Sequence, residues 1–342
     1  MITTNGISAY YYPTLAVLVD DSERFLTTIS LQLDTNLAYV TFSDPEQALK
    51  FVTQKTPNSL AEKCLAENGE AGNFGVQSTE HDVKLNLSKL YQQIYNAERF
   101  NETSVIVVDY SMPNMNGMKF CKSIRELNKS IKIILLTGEA DEGKGVEMFN
   151  AELIHRFISK NSPGFGEQVS SAIAELQRNY FESQSKLIIQ NLSTKASSCL
   201  HETTFIKVFH EIIRKHRIVE YYLIENTGSF LLLKFDGTPI WLLVSSDTEL
   251  QEYCDIAKDY HAPPEILKLL KEGQKIPYFK NPDEYMKMSG VHWEAHLHTA
   301  QKIQGENTTY YYALVKEEEL FPIEKENVLS YKEYMETVWP PI

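Results

Sequence analysis

Five short runs rich in apolar residues, each followed by a polar residue, recur through the first half of the chain. The first, Leu15–Val19, is uninterrupted, as in a strand buried on both faces of a parallel sheet, and it ends at Asp20 and Asp21. Apolar residues at helical spacing separate the runs, so we predict an open α/β sheet with helices on both faces. The other four predicted strands are Ala38–Phe42, Val105–Val108, Ile131–Leu136 and Ile154–Ile158.

One segment, residues 56–104, interrupts the alternation between the second helix and the third strand. Its first part is rich in glycine and polar residues, which favours a loop. Its later part, residues 87–95, carries leucine, isoleucine and tyrosine at helical spacing and predicts an extra amphipathic helix of about three turns. We interpret the segment as an insertion in the first domain, and a helix that docks a partner is the alternative.

A long helical pattern over residues 167–192 leads out of the first domain. Its near-heptad apolar stripe predicts packing against that domain or pairing with a second copy. The small polar residues 193–198 predict a flexible joint. We therefore divide the chain into a first domain over residues 1–182, a linker helix and joint over residues 183–200, and a second domain over residues 201–342.

The second domain has a different pattern. After an amphipathic helix at Thr203–His216, three strands follow closely, separated by turn-forming sequences, which predicts an antiparallel meander. Further helices and a hairpin complete a predicted α+β domain with a sheet of about five strands. The predicted bounds are Val219–Ile224, Phe230–Phe235 and Ile240–Val244 for the meander, Glu249–Asp259 and Pro264–Glu272 for the helices, His296–Ile303 and Thr308–Val315 for the hairpin, and Val328–Val338 for a final helix.

Composition narrows the classes of function. The chain has 342 residues and is 43% apolar, enough for two cores, and its net charge of -13 argues against a general binder of polyanions. We find neither a basic-then-apolar leader nor an apolar stretch of about 18 residues, and therefore expect a soluble, cytoplasmic protein without a membrane span. The four cysteines lack metal or redox spacing, which fits reduced thiols.

The polar residues that end the apolar runs carry the candidate chemistry. The carboxyl ends of parallel strands meet at one crevice, so we expect Asp20, Asp21, Asp109, Thr137 and Lys160 to lie together there. Converging carboxylates repel one another unless a cation neutralises them, and Mg²⁺ suits such oxygen ligands. A carboxylate can attack a phosphoryl donor to give an aspartyl phosphate, while an ammonium group stabilises the transferring phosphoryl group.

The sequence motifs that contain these five residues, taken in their order along the chain, resemble those of the receiver domain of bacterial two-component response regulators. The resemblance covers residues 13–182 and implies a flavodoxin-like, doubly wound, five-stranded parallel domain. One departure is Asn161, which follows the lysine where the family commonly has proline. The motifs are Leu18-Val19-Asp20-Asp21, Val107-Val108-Asp109-Tyr110-Ser111-Met112-Pro113 with Gly117, Leu135-Leu136-Thr137-Gly138, and Phe157-Ile158-Ser159-Lys160.

The resemblance also implies a role for each residue of the site. Asp109 is the expected phosphoacceptor, Lys160 the partner of the phosphoryl group, and Thr137 and Phe157 the switch residues. Mg²⁺ is the expected cofactor. Its expected ligands are Asp20, Asp21, Asp109 and the backbone carbonyl of Ser111.

The predicted function is that of a response regulator phosphorylated on Asp109 by a sensor histidine kinase. The resemblance implies that phosphorylation rearranges the fourth helix, fifth strand and fifth helix to favour a homodimer. The second domain is then expected to pass the signal on, in a process such as quorum sensing, because the insertion and the second domain together resemble regulators of that process. We expect no enzymatic activity beyond the self-catalysed acceptance of the phosphoryl group.

The second domain leaves alternatives open. It could be an enzyme, or a domain that binds a small molecule or nucleotide, gated by the first domain. It could also bind nucleic acid directly, although residues 183–342 contain 17 basic and 23 acidic residues. His292, Glu294, His296 and His298 alternate along a predicted strand, as metal ligands could, but a polar sheet face is the favoured interpretation.

Overall fold

The fold is that of a computed structural model of the chain. The structure describes residues 6–54, 60–66, 84–138, 141–192, 199–279, 293–316 and 323–339. The chain forms two compact units, each assembled from several separate segments. The parallel unit comprises residues 11–60, 96–184 and 329–342, and the antiparallel unit comprises residues 1–10, 61–95 and 185–328.

The parallel unit contains a five-stranded parallel sheet with flanking helices. The strand order β2-β1-β3-β4-β5 is that of the flavodoxin-like fold, so the predicted fold class is confirmed. The strands are β1 (Leu15–Val19), β2 (Tyr39–Phe42), β3 (Thr103–Asp109), β4 (Lys132–Thr137) and β5 (Arg156–Ser159). The helices are α1 (Glu23–Ser30), α2 (Pro45–Gln54), α3 (Gly117–Leu127), α4 (Glu142–Asn150) and α5 (Phe165–Gln190), with the last residues of α5 belonging to the antiparallel unit.

The uninterrupted apolar runs follow from burial on both faces of this sheet. Every residue of β1, β3 and β4 is buried. One face packs against α1 and α5, where Leu26 and Ile173 join Leu18, Val107 and Leu136 in a single cluster. Burying apolar surface stabilises a fold by about 25 cal/mol per Å², so this core fixes the positions of the strand ends.

The antiparallel unit contains the predicted meander, extended to a sheet of six strands. The sixth strand is Tyr10–Tyr11, beside which the Leu223 amide donates to the Ala9 carbonyl at 2.7 Å. The strands are β6 (Ile218–Leu223), β7 (Phe230–Lys234), β8 (Pro239–Ser246), β9 (Lys275–Pro277), β10 (Leu297–Thr299), β11 (Gln301–Gln304) and β12 (Thr309–Val315), and the helices are α6 (Thr203–His216), α7 (Asp247–Asp259) and α8 (Pro264–Lys271).

Two details of this unit differ from the sequence-based expectation. The predicted strand His296–Ile303 is divided, because β10 pairs with β9 while β11 pairs with β12. The predicted three-turn helix near residue 90 is one α-helical turn, Ser88–Tyr91, continued by the 3₁₀ helix Gln92–Tyr95. Its buried residues include Leu90 and Ile94, so the apolar periodicity is real although the helix is short.

The segments of the two units are interleaved along the chain. Residues 61–95 group with the antiparallel unit, and residues 329–342 group with the parallel unit. An amphipathic pattern shows that a segment buries one face, but it does not show which surface covers that face. The glycine-rich residues 67–79 and the joint at 193–198 lie outside the described residues.

The last described helix along the chain, α9 (Tyr331–Thr337), belongs to the parallel unit. It lies within the predicted helix Val328–Val338. None of the described helices is long and apolar enough to span a lipid bilayer.

Candidate functional site

The strand ends of the parallel unit place the predicted site residues at one edge of the sheet. Asp20 directly follows β1, Asp109 ends β3, and Thr137 ends β4. Asp109 pairs with Leu136, and Thr137 pairs with Ser159, the residue before Lys160. The parallel register therefore brings acid, hydroxyl and amine to neighbouring strand ends.

The Lys160 ammonium bridges two buried carboxylates. Its Nζ lies 2.6 Å from Asp20 Oδ2 and 2.8 Å from Asp109 Oδ1, and the two acidic side chains are only 2% and 7% exposed. Burial raises the pKa of Asp20 despite the opposing effect of Lys160. For Lys160, burial alone would lower the pKa, but the hydrogen bonds to Asp109 and Asp20 outweigh it and the pKa is raised. The bridge keeps the lysine protonated where a negative charge would arrive.

Backbone amides hold the other oxygen of each carboxylate. The Ser22 amide donates to Asp20 Oδ1 at 2.9 Å, and the Ser111 amide donates to Asp109 Oδ2 at 3.0 Å. Ser22 also caps α1 by accepting a hydrogen bond from the Phe25 amide at 3.2 Å. Each carboxylate is thus fixed at both oxygens by a charge-assisted hydrogen bond, which leaves its orientation little freedom.

Asp21 lies apart from this bridge, because its side chain is exposed. In the described part of the chain, no three acidic, histidine or cysteine side chains are grouped so as to hold a metal ion. The structure therefore brings Asp20 and Asp109 together, with Asp21 next to them in sequence but turned to solvent.

The donor set nevertheless fits Mg²⁺. Asp20 and Asp109 already bracket one positively charged atom, and carboxylate and carbonyl oxygens are the ligands that Mg²⁺ prefers. Mg²⁺ usually retains several waters and takes only one or two carboxylates, so a preformed group of three is not required. Asp20, Asp109 and the Ser111 carbonyl would hold the ion, with exposed Asp21 available at its side.

The Thr137 hydroxyl is buried and has no hydrogen-bond partner among the residues that the structure describes. Its side chain lies at the end of β4, and its carbonyl accepts the Lys160 amide at 2.9 Å. A buried polar group without a partner costs about 1–3 kcal/mol. Such a group can be explained by a ligand that supplies the missing acceptor.

Phe157, the expected switch aromatic, is half-buried and lies close to α4. A Cβ built on Gly145 would lie 3.0 Å from the Phe157 ring, so the glycine provides the space that the ring occupies. The helix that follows the Thr137 loop is therefore in contact with the aromatic residue on β5.

Gly117, at the start of α3, allows the helix to approach the end of β3. A Cβ at this position would lie 2.5 Å from the Asp109 carbonyl oxygen, and the Gly117 amide donates to the Tyr110 carbonyl at 2.8 Å. The preceding Asn116 caps the helix by accepting the Lys119 amide at 3.0 Å. This tight return explains why glycine belongs to the motif that contains Asp109.

Two contacts at the site were not foreseen from the sequence. The Lys160 ammonium lies 4.3 Å from the centre of the Phe25 ring, a cation–π contact. The Ser111 hydroxyl donates to Asp141 Oδ2 at 2.8 Å and so joins the loop after β3 to the loop after β4. A helical pattern gives no sign of which aromatic residue faces a lysine, and a lone acid in a loop carries no motif.

The described members of the alternating histidine set lie in two different elements. Glu294 and His296 lie in the 3₁₀ helix Trp293–His296, whereas His298 lies in β10. His296 stacks on Phe279, with ring centres 5.0 Å apart. His292 lies outside the described residues. The described members of the set are therefore divided between two elements.

The flavodoxin-like order of the strands and the Lys160 bridge at their ends are together characteristic of a receiver domain. The family described as "Response regulator receiver domain" matches residues 79–164. That match contains Asp109, Thr137 and Lys160 but begins within the inserted segment of residues 56–104, so it leaves out β1. Asp20 lies outside the match, and the structure places it beside Asp109 through the shared contact with Lys160.

A solved structure extends the similarity to nearly the whole chain. It is that of the Legionella pneumophila response regulator LqsR, with 36% sequence identity, a TM-score of 0.81, and coverage of 98% of this chain and 97% of that chain. This chain belongs to the response regulator family. Both units, including the antiparallel sheet, are contained in the similarity.

Other solved structures align over about half of the chain. A signal receiver domain of an HD domain-containing protein from Pseudomonas fluorescens has 16% identity, a TM-score of 0.35, and coverage of 54% of this chain and 99% of that chain. A receiver domain protein from Clostridium thermocellum has 15% identity, a TM-score of 0.31, and coverage of 51% and 98% respectively. No curated protein matches the sequence.

Proposed function

We propose that Asp109 accepts a phosphoryl group from the phosphohistidine of a sensor kinase and that this modification controls the protein. The observation that carries the proposal is the bridge from Lys160 Nζ to Asp20 and Asp109 at the strand ends. A lysine held by two buried carboxylates is positioned to receive added negative charge on either of them. These three charged groups lie at the carboxyl ends of the parallel strands, where ligands of open α/β sheets bind.

The residues of the site perform the transfer by orientation and charge. An Asp109 carboxylate oxygen attacks the phosphorus, a P–O bond forms, and the P–N bond to the kinase histidine breaks, leaving the electron pair on the imidazole, which takes up a proton. The Ser111 amide holds the other oxygen of Asp109, and Lys160 remains protonated beside the arriving phosphoryl oxygens. Bound Mg²⁺ would add further neutralisation of the phosphoryl charge.

Thr137 and Phe157 then convert the modification into a conformational change. The unpartnered Thr137 hydroxyl gains an acceptor when a phosphoryl oxygen is present, so phosphorylation favours movement of the β4 end toward Asp109. Phe157 contacts α4, which begins shortly after Thr137, so the ring position depends on the same loop. The hydrogen bond that the Thr137 hydroxyl gains on phosphorylation supplies the free energy for this change.

Helix α4 supports the further proposal of a phosphorylation-dependent homodimer through α4, β5 and α5. Its Val146 and Phe149 side chains are 47% and 49% exposed. Neighbouring apolar side chains on a surface helix are typical of an interaction site. The proposed setting is a cytoplasmic signalling pathway such as quorum sensing, in which the antiparallel unit passes the receiver state to its target.

Incubation with acetyl phosphate and Mg²⁺, followed by intact-mass measurement, tests the phosphoacceptor. We expect one phosphate adduct on the wild-type chain and none on Asp109→Asn. Asp259→Asn, which removes an exposed acid of α7, should be labelled like wild type. A full adduct on Asp109→Asn would contradict the proposal.

A further inference from the structure

The end of the described chain forms part of the parallel unit. We define Leu329–Trp339 as the C-terminal strap; it contains α9 and follows directly after the last residue of the antiparallel unit. Its Tyr331 and Tyr334 side chains are 3% and 0% exposed, as deeply buried as core residues. The strap therefore packs as an integral layer of the receiver.

The strap holds the backbone that leads into the edge strand β2. The Tyr331 hydroxyl donates to the Asn36 carbonyl at 2.7 Å and accepts the Ala38 amide at 3.2 Å. The Trp339 indole N–H donates to the Tyr39 carbonyl at 2.9 Å, and the two rings lie 5.3 Å apart, edge to face. Three backbone groups at the start of β2 thus have strap side chains as partners.

The strap is itself anchored on the residues that precede β3. An Arg99 guanidinium nitrogen donates to the Leu329 carbonyl at 2.7 Å, and the Tyr334 hydroxyl donates to Asn101 Oδ1 at 2.8 Å. The Phe100 ring lies 5.1 and 5.2 Å from the rings of Tyr331 and Tyr334. Arg99 and Phe100 are themselves fully buried, so the strap is anchored on the core of the parallel unit.

Strand β2 carries the effect of the strap to the phosphoacceptor site. Its neighbour β1 is hydrogen-bonded to it near both ends: the Ala16 amide donates to the Ala38 carbonyl at 2.9 Å, and the Asp20 amide, directly after β1, donates to the Phe42 carbonyl at 3.1 Å. β2 is only four residues long and is an edge strand. Its outer side borders a groove of about 710 Å³ that Trp339 helps to line. A short edge strand beside a groove depends on the few contacts that fix it.

We propose that the C-terminal strap positions Asp20 through β2, with Tyr331 and Trp339 as the positioning residues. This inference rests on the proposed function, since it assigns the last described segment of the chain to the phosphoacceptor site. The C-terminal strap thereby helps to position a residue of the phosphoacceptor site, although it follows the antiparallel unit along the chain. A receiver cut at the end of α5 would lack it.

Two measurements on the full chain test this proposal. Tyr331→Phe removes both hydrogen bonds of the Tyr331 hydroxyl but keeps the ring. Trp339→Phe removes the indole N–H donor and leaves a smaller aromatic ring. We expect hydrogen exchange in peptides covering residues 16–22 and 36–43 to become about tenfold faster in each variant. At a temperature where circular dichroism shows each protein fully folded, the Mg²⁺ concentration for half-maximal labelling by acetyl phosphate should rise several-fold. Lys332→Ala, on the exposed face of α9, is the matched control.

The outcomes separate this proposal from the function on which it rests. A wild-type chain that takes up no phosphoryl group would overturn the proposed function. A wild-type chain that is labelled, together with strap variants that keep the wild-type Mg²⁺ midpoint, would overturn the strap proposal, whether or not their exchange is faster. If Tyr331→Phe fails to fold, Trp339→Phe decides the question.

Discussion

Lys160 Nζ and Asp20 Oδ2 lie 2.6 Å apart, with Asp109 Oδ1 on the other side of the same ammonium at 2.8 Å. One cation therefore lies between two buried carboxylates, and for Asp20 it opposes the burial that raises the pKa of that side chain. When Asp109 carries a phosphoryl group, the same ammonium is available to its oxygens. Under the proposed function, the arrangement that holds the resting acids is thus the one that would favour the modified state.

Removing that cation should slow phosphoryl acceptance. Lys160→Ala leaves Asp20 and Asp109 to repel each other and withdraws the donor from the transferring group. We expect the initial rate of labelling by acetyl phosphate to fall about 100-fold, the usual effect of losing one such donor. The rate is measured by intact mass at fixed Mg²⁺. Lys129→Ala, at an exposed position after α3, should keep the wild-type rate, and an equal loss in both variants would contradict the role given to Lys160.

Gly117 offers a second test, because its replacement meets backbone atoms. In Gly117→Ala the new Cβ would lie 2.5 Å from the Asp109 carbonyl oxygen and 2.9 Å from the Tyr110 Cα. We expect a loss of about 1–3 kcal/mol in the free energy of unfolding, measured by urea titration, with slower labelling as Asp109 shifts.

Gly143→Ala is the matched control for that substitution. Gly143 lies in α4, and a Cβ there meets nothing within 4 Å. Higher helix propensity should raise the free energy of unfolding by up to about 1 kcal/mol. If the free energy of unfolding falls in Gly117→Ala and rises in Gly143→Ala, the loss is caused by the close approach at Gly117 and not by glycine replacement itself.

The order of elements in the receiver could be predicted from the sequence because burial on both faces leaves a strong pattern. Leu15–Val19 has no polar residue, and its end locates Asp20. The crevice followed from the parallel arrangement, which puts Asp109 and Lys160 at the same edge whatever the loops between them.

The partners of the amphipathic segments could not be predicted in the same way. Tyr331 and Tyr334 lie three positions apart and predict a buried helix face, yet nothing in that spacing identifies β2 as the neighbour. The same holds for Leu90 and Ile94, which group with the antiparallel unit although they lie between two receiver strands. Long-range packing chooses among apolar surfaces that look alike in sequence.

We expect His155 to make the free energy of unfolding of the receiver depend on pH, separately from any effect of the carboxylates. The Ile133 amide and an Arg125 guanidinium nitrogen both lie 3.1 Å from Nδ1, so this nitrogen accepts and the ring is neutral. Burial, with the charges of Lys132 and Arg125, lowers the pKa of His155 to about 3. The unfolded chain has a histidine pKa of about 6.5 and takes up the proton first.

The direction follows from linkage. The contribution of neutral His155 to the free energy of unfolding is fully present above about pH 6.5 and is lost as the pH falls toward 3. His155→Asn keeps an acceptor without a titrating ring, so the free energy of unfolding should decline less steeply between pH 6.5 and 4. Urea titrations at several pH values measure the slope. Parallel slopes for the two proteins would contradict a neutral, buried His155.

Thr137 separates stability from switching in a single substitution. Thr137→Val replaces a buried, unpartnered hydroxyl with a methyl group of similar shape, so the unphosphorylated protein should gain about 1 kcal/mol in its free energy of unfolding. The same change removes the donor proposed for the phosphoryl oxygen, so Asp109 should still be labelled while phosphorylation no longer shifts the sedimentation of the protein toward a dimer. Thr137→Ser, which retains the hydroxyl, should preserve the shift. A destabilised Thr137→Val variant would show that the hydroxyl has a partner in the resting state, and a phosphorylated variant that dimerises like wild type would show that the signal does not pass through Thr137.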